Sequence, residues 1–378
     1  MRFELTDVQR ALRDEVRSFA TEEIAPIAGE CDRTGEFPDD VLADLGEMGL
    51  TGLTLPEEYG GDGAGLVELT LVVEELSAAM MPVASAVSLH LGAATVVERF
   101  GASELKDQLL PAAATWDTVL ALGLSEDDAG SDKSRMRTTA EREGDEWVLS
   151  GHKRWVTNFF GADHVLTYAK TGPDADAPNN VSAFVVPTTA FEVDHVWDTL
   201  GARALKSPRV TLSDVRIPDD RRVGDVGSAY VDRGRVHTGV NVPARAVGIA
   251  RAALEDTIAY TSDREQFDRP IGEFQGLRWR VADMARRVDA ARLLTLRAAD
   301  RADRGADPTR AMAAAKIDAT ETAVEVTNEA LQLHGGIGYT RSKDVERYLR
   351  DARLLTIAGG PNALHRDTLA DALISSPR

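Results

Sequence analysis

Hydrophobic residues in the first third of the chain recur at helical spacing. Val8, Leu12, Val16 and Phe19 follow the polar residue Thr6 at intervals of three or four, which predicts an amphipathic helix with a capped start. The same periodicity predicts helices over residues 39–48 and 66–79. Residues 6–114 are therefore expected to form a helical unit.

The spacing changes from helical to alternating near Thr118. Short segments rich in β-branched and aromatic residues are separated by turn sequences such as REGD at residues 142–145, a pattern typical of an antiparallel sheet. The segments are residues 118–124, 137–142, 147–150, 164–169, 182–187 and 209–212. We expect an antiparallel β unit of roughly a hundred residues.

Helical periodicity returns after Val226 and continues to the end of the chain. The predicted helices cover residues 247–261, 274–303, 308–333, 345–353 and a last segment from Asn362. Long helices joined by short loops form bundles. The predicted fold class is a multidomain α+β protein, with an all-α domain at residues 1–117, an antiparallel β domain at 118–226 and a four-helix bundle at 227–378.

The charge of the chain restricts its partners. Its 378 residues carry a net charge of −19, and only seven of the 43 basic residues are lysine. Such a surface suits a high-salt cytoplasm, where screening weakens the repulsion between carboxylates, although an acidic protein from an arginine-rich organism has the same composition. Nonspecific nucleic-acid binding is not expected, because it depends on clustered Lys and Arg.

Cysteine usage and hydropathy indicate a cytoplasmic protein. The single cysteine, Cys31, excludes an internal disulfide and provides no metal framework, so no metal site is predicted. The N-terminal segment is amphipathic and acidic from Glu4 onward, unlike a signal peptide. No uninterrupted apolar run reaches the roughly 18 residues that span a bilayer, so no membrane contact is predicted.

Two glycine-rich segments need an interpretation. The loop LPEEYGGDGAG at residues 55–65 has no strand leading into a helix around it, so it is interpreted as a structural loop rather than a dinucleotide fingerprint. Residues 321–366 are predicted to form a helix, a glycine turn at HGGIG, a second helix and a loop at IAGGP. On its own this segment is also compatible with a plain helical hairpin.

Several motifs, in order along the chain, resemble the acyl-CoA dehydrogenase superfamily. Residues 121–132 read ALGLSEDDAGSD, similar to the family's A-L-T-E-P-x-A-G-S-D, and residues 153–158 read KRWVTN, similar to K-x-W-I-T-N. Residues 263–275 read DREQFDRPIGEFQ, similar to R-x-x-F-G-x-x-I-x-x-F-Q. The order of helical, β and helical domains is also that of the family.

The resemblance implies that the middle domain binds the flavin half of FAD. Trp155 would lie against the isoalloxazine ring, and the Thr157 hydroxyl would donate to flavin N5. The ring and the pyrophosphate are the proposed ligands of Leu122, Leu124, Ser125, Gly130, Ser131 and Val156. An apolar platform with a few matched donors is how proteins generally hold such cofactors.

The adenine half of FAD would be bound by a neighbouring subunit. In the family this role falls to the C-terminal bundle, where Arg264 would pair with the pyrophosphate. Beside it would lie Phe267, Gln275, Gln332, Gly335 and Gly336. A homotetramer, or a heteromer with a homologous subunit, is therefore expected, with an acyl-CoA substrate and an electron-transfer flavoprotein as electron acceptor.

The catalytic carboxylate of the family is missing from both of its usual positions. An ungapped count from Gln332 puts the family's I-Y-E-G-T motif on residues 357–361, so Gly359 replaces the glutamate. The other position, at the start of the first C-terminal helix, corresponds to Thr238 and Gly239 without a gap, or to Gly234 and Arg235 after a four-residue insertion. Neither alignment provides an acid. The Gly359 amide remains a possible donor to the thioester oxygen.

Three explanations stay open for the missing base. His237, beside the helix-start position, has a suitable intrinsic pKa and is a weak candidate. A partner subunit of a heteromeric dehydrogenase is the second source of an acid. Alternatively, the chain binds flavin without the usual chemistry. The predicted activity is FAD-dependent oxidation of an acyl-CoA to the 2-enoyl-CoA, with the acyl chain length undetermined.

Overall fold

The chain folds into a helical, a β and a second helical unit, in that order. The computed structural model describes residues 4–172, 180–229 and 235–374, and for residues 235–238 it describes the backbone alone. The first unit contains α1 (Asp7–Phe19), α2 (Ala25–Thr34), α3 (Asp39–Glu47), α4 (Leu66–Phe100) and α5 (Ser103–Ala114). A five-residue π-helix, Ala20–Ile24, joins α1 to α2.

The start of α1 follows the sequence prediction. The Thr6 hydroxyl accepts a hydrogen bond from Gln9 N, and the Gln9 side chain accepts one from Thr6 N. This reciprocal capping box satisfies two of the amide donors that a helix N-terminus leaves unpaired. Of the predicted apolar face, Val16 is buried and Leu12 and Phe19 are half-buried against the core, whereas Val8, at the helix start, is 76% exposed.

Helix α4 is much longer than the predicted residues 66–79. It continues to Phe100 across a break at Met80 (φ −155°, ψ 104°), two residues before Pro82. Among the described residues it is the one helix long and apolar enough to span a membrane, and 89% of its most apolar window is buried within the protein. A core helix meets the same criteria, since burial on all sides removes the amphipathic pattern.

The middle unit is a mixed sheet rather than an entirely antiparallel one. Its strands are β1 (Leu120–Gly123), β2 (Thr139–Glu143), β3 (Glu146–Lys153), β4 (His164–Lys170), β5 (Val181–Pro187), β6 (Glu192–His195), β7 (Arg209–Pro218) and β8 (Arg222–Val223). They run in the order β6-β7-β3-β2-β4-β5-β8, and β1 pairs with β4 in parallel. The direction of β1 is set by its entry from the helical unit, which alternation of residues cannot reveal.

Two strands were not predicted, for identifiable reasons. All four residues of β6 are exposed, so it has no alternation of buried and exposed positions, and β8 has only two residues. The predicted turn at residues 142–145 is confirmed, since β2 and β3 form a hairpin with Gly144 at φ +66°. The glycine-rich loop at residues 55–65 is a packed turn, because a Cβ on Gly61 would lie 2.2 Å from Leu55 O.

The last unit is a helical bundle in which α6 is central. It contains α6 (Arg235–Asp263), α7 (Gln275–Asp303), α8 (Thr309–His334), α9 (Val345–Leu355) and α10 (Asn362–Ile374), with a small hairpin of β9 (Glu265–Gln266) and β10 (Arg269–Pro270). Helix α6 packs closely on α4, since a Cβ on Gly248 would lie 2.3 Å from Glu74 O. The first and last units therefore share one core.

Candidate active site

Two loops of the β domain lie side by side. The first follows β1 and contains Ser125, and the second follows β3 and contains Trp155 and Thr157. Arg154 N donates to Ser125 O at 2.9 Å, and Lys133 Nζ donates to Ser125 Oγ at 3.3 Å. The structure thus brings together residues that are about thirty positions apart and that the motifs assign to one flavin site.

A buried ion pair holds these loops together. Lys153 Nζ lies 2.6 Å from Glu126 Oε1, and both side chains are shielded from solvent. Glu126 also accepts from the amides of Arg137 and Thr138. Burial alone would raise the pKa of Glu126, but Lys153 and these donors lower it below its ordinary value. The Glu126 carboxylate therefore remains ionised, and its ion pair with Lys153 holds the loop containing Ser125 against the end of β3.

Trp155 forms an exposed aromatic surface beside these loops. Its backbone has φ +60°, and 44% of the residue is exposed. The ring packs against Trp197 at 4.9 Å between centroids, with the Arg154 guanidinium 4.6 Å from the Trp155 ring centroid. Trp197 Nε1 is buried and has no hydrogen-bond partner among the described residues. A left-handed, exposed tryptophan is a strained arrangement of the kind found at ligand sites.

The remaining β-domain residues of the predicted flavin site differ in how exposed they are and in which of their atoms a ligand could contact. The Thr157 hydroxyl lies 3.0 Å from Ser207 Oγ and is partly accessible. Val156 and Leu124 are buried, so a ligand would reach them through the backbone, and Leu122 is half-buried. Gly130 and Ser131 are exposed, with open space where a Cβ on Gly130 would lie. The loop can therefore approach a phosphate closely.

The C-terminal residues assigned to the adenine half lie at one end of the bundle. Tyr260, four residues before Arg264, stacks on His334 at 4.4 Å between centroids, which joins the end of α6 to the end of α8. Phe267 is 87% exposed at the tip of the β9–β10 hairpin. The exposed set comprises Arg264, Phe267, Gln275, Gln332, Gly335 and Gly336.

In the described part of the chain these two sets are not bonded to each other. Among the described residues, no hydrogen bond or ion pair joins the C-terminal set to the loops containing Ser125 and Thr157. A cavity of about 520 Å³ lies near the C-terminal set, between the end of α6 and α7, with Ile258, Ser262, Pro270 and Glu273 in its wall. The exposed set is thus available to a ligand that a neighbouring molecule holds.

Gly359 lies in a tight turn against α6. It has φ +69°, and a Cβ there would lie 2.9 Å from Val242 Cγ2. Its carbonyl is 3.1 Å from His365 Nε2, and Lys316 Nζ donates to Gly360 O at 2.8 Å. No hydrogen bond from the Gly359 amide is found in the described part of the chain, so this N–H is free to donate to a ligand.

The groups around this turn include two that the sequence did not single out. Burial lowers the pKa of His365 and lowers that of Lys316 to about 8. Both side chains fix the turn through backbone carbonyls, a role without a sequence motif. His237, the weak candidate base, lies within the range of α6, but its side chain is outside the described part of the structure.

Contacts with α4 and α6 connect the loop at Thr157 to the turn at Gly359. Asn158, directly after Thr157, donates from Nδ2 to Ala86 O on α4 at 2.9 Å. Helix α4 packs on α6, and Val242 of α6 is the neighbour of Gly359. The β domain, α4, α6 and the turn at residues 357–361 are therefore linked by direct contacts.

Sequence comparison identifies the family to which this arrangement belongs. Family models described as the N-terminal, middle and C-terminal domains of acyl-CoA dehydrogenase match residues 6–117, 121–215 and 227–374. The chain belongs to the acyl-CoA dehydrogenase family. The chain is 39% identical to a probable acyl-CoA dehydrogenase, YngJ, of Bacillus subtilis, over 99% of this chain and 100% of that protein.

Solved acyl-CoA dehydrogenase-like structures share the whole fold. Butyryl-CoA dehydrogenase from Megasphaera elsdenii superposes with a TM-score of 0.95 at 31% identity, over 99% of this chain and 100% of that one. A chain from the structural work on the electron transferring flavoprotein of Acidaminococcus fermentans gives a TM-score of 0.97 at 33% identity, with 100% of both chains covered. The predicted three-domain fold is confirmed.

FAD is the cofactor that accompanies this acyl-CoA dehydrogenase fold, and the residues present fit it. The exposed Trp155 ring, the accessible Thr157 and Ser125 hydroxyls and the open backbone at Gly130 provide a platform, ring donors and a phosphate approach. These are the elements that a flavin dinucleotide requires. The chain is an enzyme of the acyl-CoA dehydrogenase class.

Proposed function

We propose that the protein oxidises an acyl-CoA thioester to the 2-enoyl-CoA and passes the electrons to an electron-transfer flavoprotein. The observation that carries this proposal is the series of contacts that links the Thr157 loop to the Gly359 turn: Asn158 Nδ2 donates to Ala86 O on α4, α4 packs on α6, and Val242 of α6 lies against Gly359. Bound FAD would supply the acceptor for the hydride lost from the β-carbon. Similarity to the chain from the Acidaminococcus electron transferring flavoprotein work supports this choice of electron acceptor.

The residues of the chain would divide the work as follows. Trp155 and Ser125 would orient the ring of bound FAD, and the Thr157 hydroxyl would donate a hydrogen bond to the ring atom that accepts hydride. The free amide of Gly359 donates to the thioester oxygen, which stabilises the enolate that forms when the α-proton leaves. Arg264 and the exposed set of the bundle bind the adenine half of a neighbouring subunit's cofactor in a homotetramer or heteromer.

One observation favours a second candidate, a subunit whose homologous partner supplies the proton acceptor. The family's glutamate position holds a glycine in left-handed conformation, and any side chain there would collide with Val242. The turn is therefore built without a carboxylate, and the α-proton has to go to another group. His237 on α6, His365 beside Gly359, or an acid from a partner chain are the groups to test.

Anaerobic titration of the FAD-loaded protein with straight-chain acyl-CoAs of several lengths tests the proposal. Loss of the oxidised-flavin absorbance is expected with the chain alone, or after addition of a homologous partner subunit if the partner supplies the base. His237→Ala and His365→Ala identify the acceptor, since only loss of that group abolishes bleaching while FAD content is retained. A protein that binds no FAD, or whose flavin no thioester reduces in either format, would refute it.

A further inference from the structure

A fully buried arginine without an acidic partner lies between α4 and α6. Arg245 is 4% exposed, and its Nη1 donates to Ser85 Oγ at 2.5 Å. Its Nε donates to Asn241 O at 3.3 Å, and Nη2 has only a long contact of 3.5 Å with Asn241 Oδ1. Among the described residues no Asp or Glu forms an ion pair with it. A buried cation normally has such a partner.

A second, partly buried arginine on the same helix shows what is missing. Arg251, six residues later, also faces α4 and pairs with Glu74, Glu75 and Glu255 at 2.5–3.3 Å. Its pKa is raised by these carboxylates despite burial. Burial alone acts on Arg245 and lowers its pKa to about 10. The two arginines lie in the same interface, and only one has its charge compensated by the protein.

A second unsatisfied group lies beside Arg245. Asn241 is 1% exposed, and its Nδ2 has no hydrogen-bond partner among the described residues. Because Asn241 and Arg245 are separated by one helical turn, they lie on the same face of α6. More than nine in ten buried polar groups are hydrogen-bonded in folded proteins. An unpartnered amide donor next to an uncompensated guanidinium therefore indicates an anionic acceptor from outside the chain.

This pair lies at the acyl side of the proposed site. Ser85, which accepts from Arg245, is adjacent to Ala86, whose carbonyl accepts from Asn158, the residue after Thr157. Val242, adjacent to Asn241, is the neighbour of Gly359. Arg245 and Asn241 are thus bracketed by the flavin-side loop and the turn expected to bind the thioester. An acyl chain that enters between α4 and α6 would point its far end at them.

We propose that Arg245 and Asn241 bind a carboxylate at the far end of the acyl group, so that the preferred substrate is the CoA monothioester of a dicarboxylic acid. This inference rests on the proposed function, which places the thioester of the substrate beside Gly359. Arginine offers two parallel donors to a carboxylate, and a carboxylate would also accept from Asn241 Nδ2. The ligand would supply the negative charge that the protein omits.

Binding to the FAD-loaded protein, measured by calorimetry, tests this inference without relying on turnover. The probes are matched pairs of equal carbon number: butyryl- and succinyl-CoA, pentanoyl- and glutaryl-CoA, hexanoyl- and adipoyl-CoA. At one length or more, the carboxylated thioester is expected to bind at least about 10-fold more tightly than its plain partner. Equal or tighter binding of the plain thioester at all three lengths overturns the inference.

Two variants assign the selectivity to these residues. Arg245→Met should weaken binding of the favoured carboxylated thioester about 30-fold or more, because the buried carboxylate of the ligand loses its cationic partner. The affinity for the plain thioester should change by less than about 3-fold. Asn241→Leu should also reduce this selectivity, and it replaces Arg245→Met as the test if that variant does not fold. Arg245→Lys should retain part of the selectivity. Selectivity that survives both Arg245→Met and Asn241→Leu overturns the assignment.

Failure of the inference and failure of the proposed function give different results. Flavin bleaching by plain acyl-CoAs without carboxylate selectivity would retain the proposed function and remove the inference. Selective binding of a carboxylated thioester without bleaching, alone or with a homologous partner, would retain the binding site and remove the proposed function.

Discussion

At the residue scale, Gly359 shows how one backbone conformation excludes a catalytic side chain. Gly359, where the motif count puts the family's glutamate, has φ +69°, and a Cβ there would lie 2.9 Å from Val242 Cγ2, so both the backbone and the space oppose any larger residue. A simple replacement by glutamate is therefore not expected to restore a base.

Gly359→Ala is expected to destabilise the protein by more than its left-handed conformation alone explains. The conformation costs about 1–2 kcal/mol, and the contact with Val242 adds about 1–3 kcal/mol. Gly144→Ala is a matched control, since Gly144 has φ +66° with open space around a Cβ. Urea unfolding should show the larger loss for Gly359→Ala, and Val242→Ala should reduce the difference. Equal losses for the two glycines would show that Val242 does not restrict the turn.

The ion pair of Glu126 and Lys153 permits a second test at this scale. Glu126→Gln leaves the Lys153 ammonium buried without a counter-charge, so the free energy of unfolding should fall by roughly 3–5 kcal/mol. The double variant Glu126→Gln, Lys153→Met should recover most of that loss, because no charge remains to be compensated. Urea unfolding measures both. A double variant as unstable as the single one would contradict this account.

At the scale of elements, His90 joins the helical unit to the sheet. Its Nδ1 accepts from Leu120 N at the start of β1, and its Nε2 lies 2.9 Å from Ala113 O of α5. The amide donor at Nδ1 fixes the neutral tautomer with the proton on Nε2. Through this residue α4 sets the position and direction of β1, which leads directly to Leu122, Leu124 and Ser125.

Stability should therefore depend on pH through His90. Burial lowers its pKa from 6.5 to about 4. Below pH 6.5 the unfolded chain gains a proton on His90 and the folded one does not, so this contribution is full above pH 6.5 and is lost as the pH falls toward 4. Between pH 7.5 and 5.5 the loss should be about 1.4 kcal/mol.

His90→Gln isolates this contribution. Glutamine cannot titrate, so the decline in unfolding free energy between pH 7.5 and 5.5 should be smaller in the variant by about 1.4 kcal/mol. The variant should also be less stable at pH 7.5, where it lacks the acceptor for Leu120 N. Urea unfolding at several pH values provides both quantities. An unchanged pH dependence would mean that His90 has the same pKa in the folded and unfolded protein.

At the scale of the whole molecule, the residues proposed for the two halves of the cofactor site belong to different units. The loops at Ser125 and Trp155 are part of the β domain, whereas Arg264, Phe267 and Gln332 are exposed at one end of the bundle. The proposed assembly has one dinucleotide bridging two subunits. FAD affinity and subunit association should then be coupled.

Arg264→Ala should weaken FAD binding roughly 10- to 100-fold, since a charge-assisted contact to pyrophosphate is lost. FAD should also promote association of the wild-type chain, detectable by analytical ultracentrifugation at low protein concentration with and without FAD. Arg10→Ala, on the exposed face of α1, is the matched control and should leave both properties unchanged. A monomer that binds FAD as tightly as the oligomer would refute the bridging arrangement.

The sequence by itself determined the order of the three units, most helix positions and the flavin-side loops, because periodicity and short motifs are local properties. It also exposed the missing acid at Gly359, since a motif count needs no coordinates. It did not determine the parallel direction of β1 or the extension of α4 beyond Met80, because both depend on contacts with distant segments. Only the tertiary structure decided that Arg245 is buried without a carboxylate while Arg251 pairs with Glu74 and Glu75, since those two carboxylates come from another helix, α4.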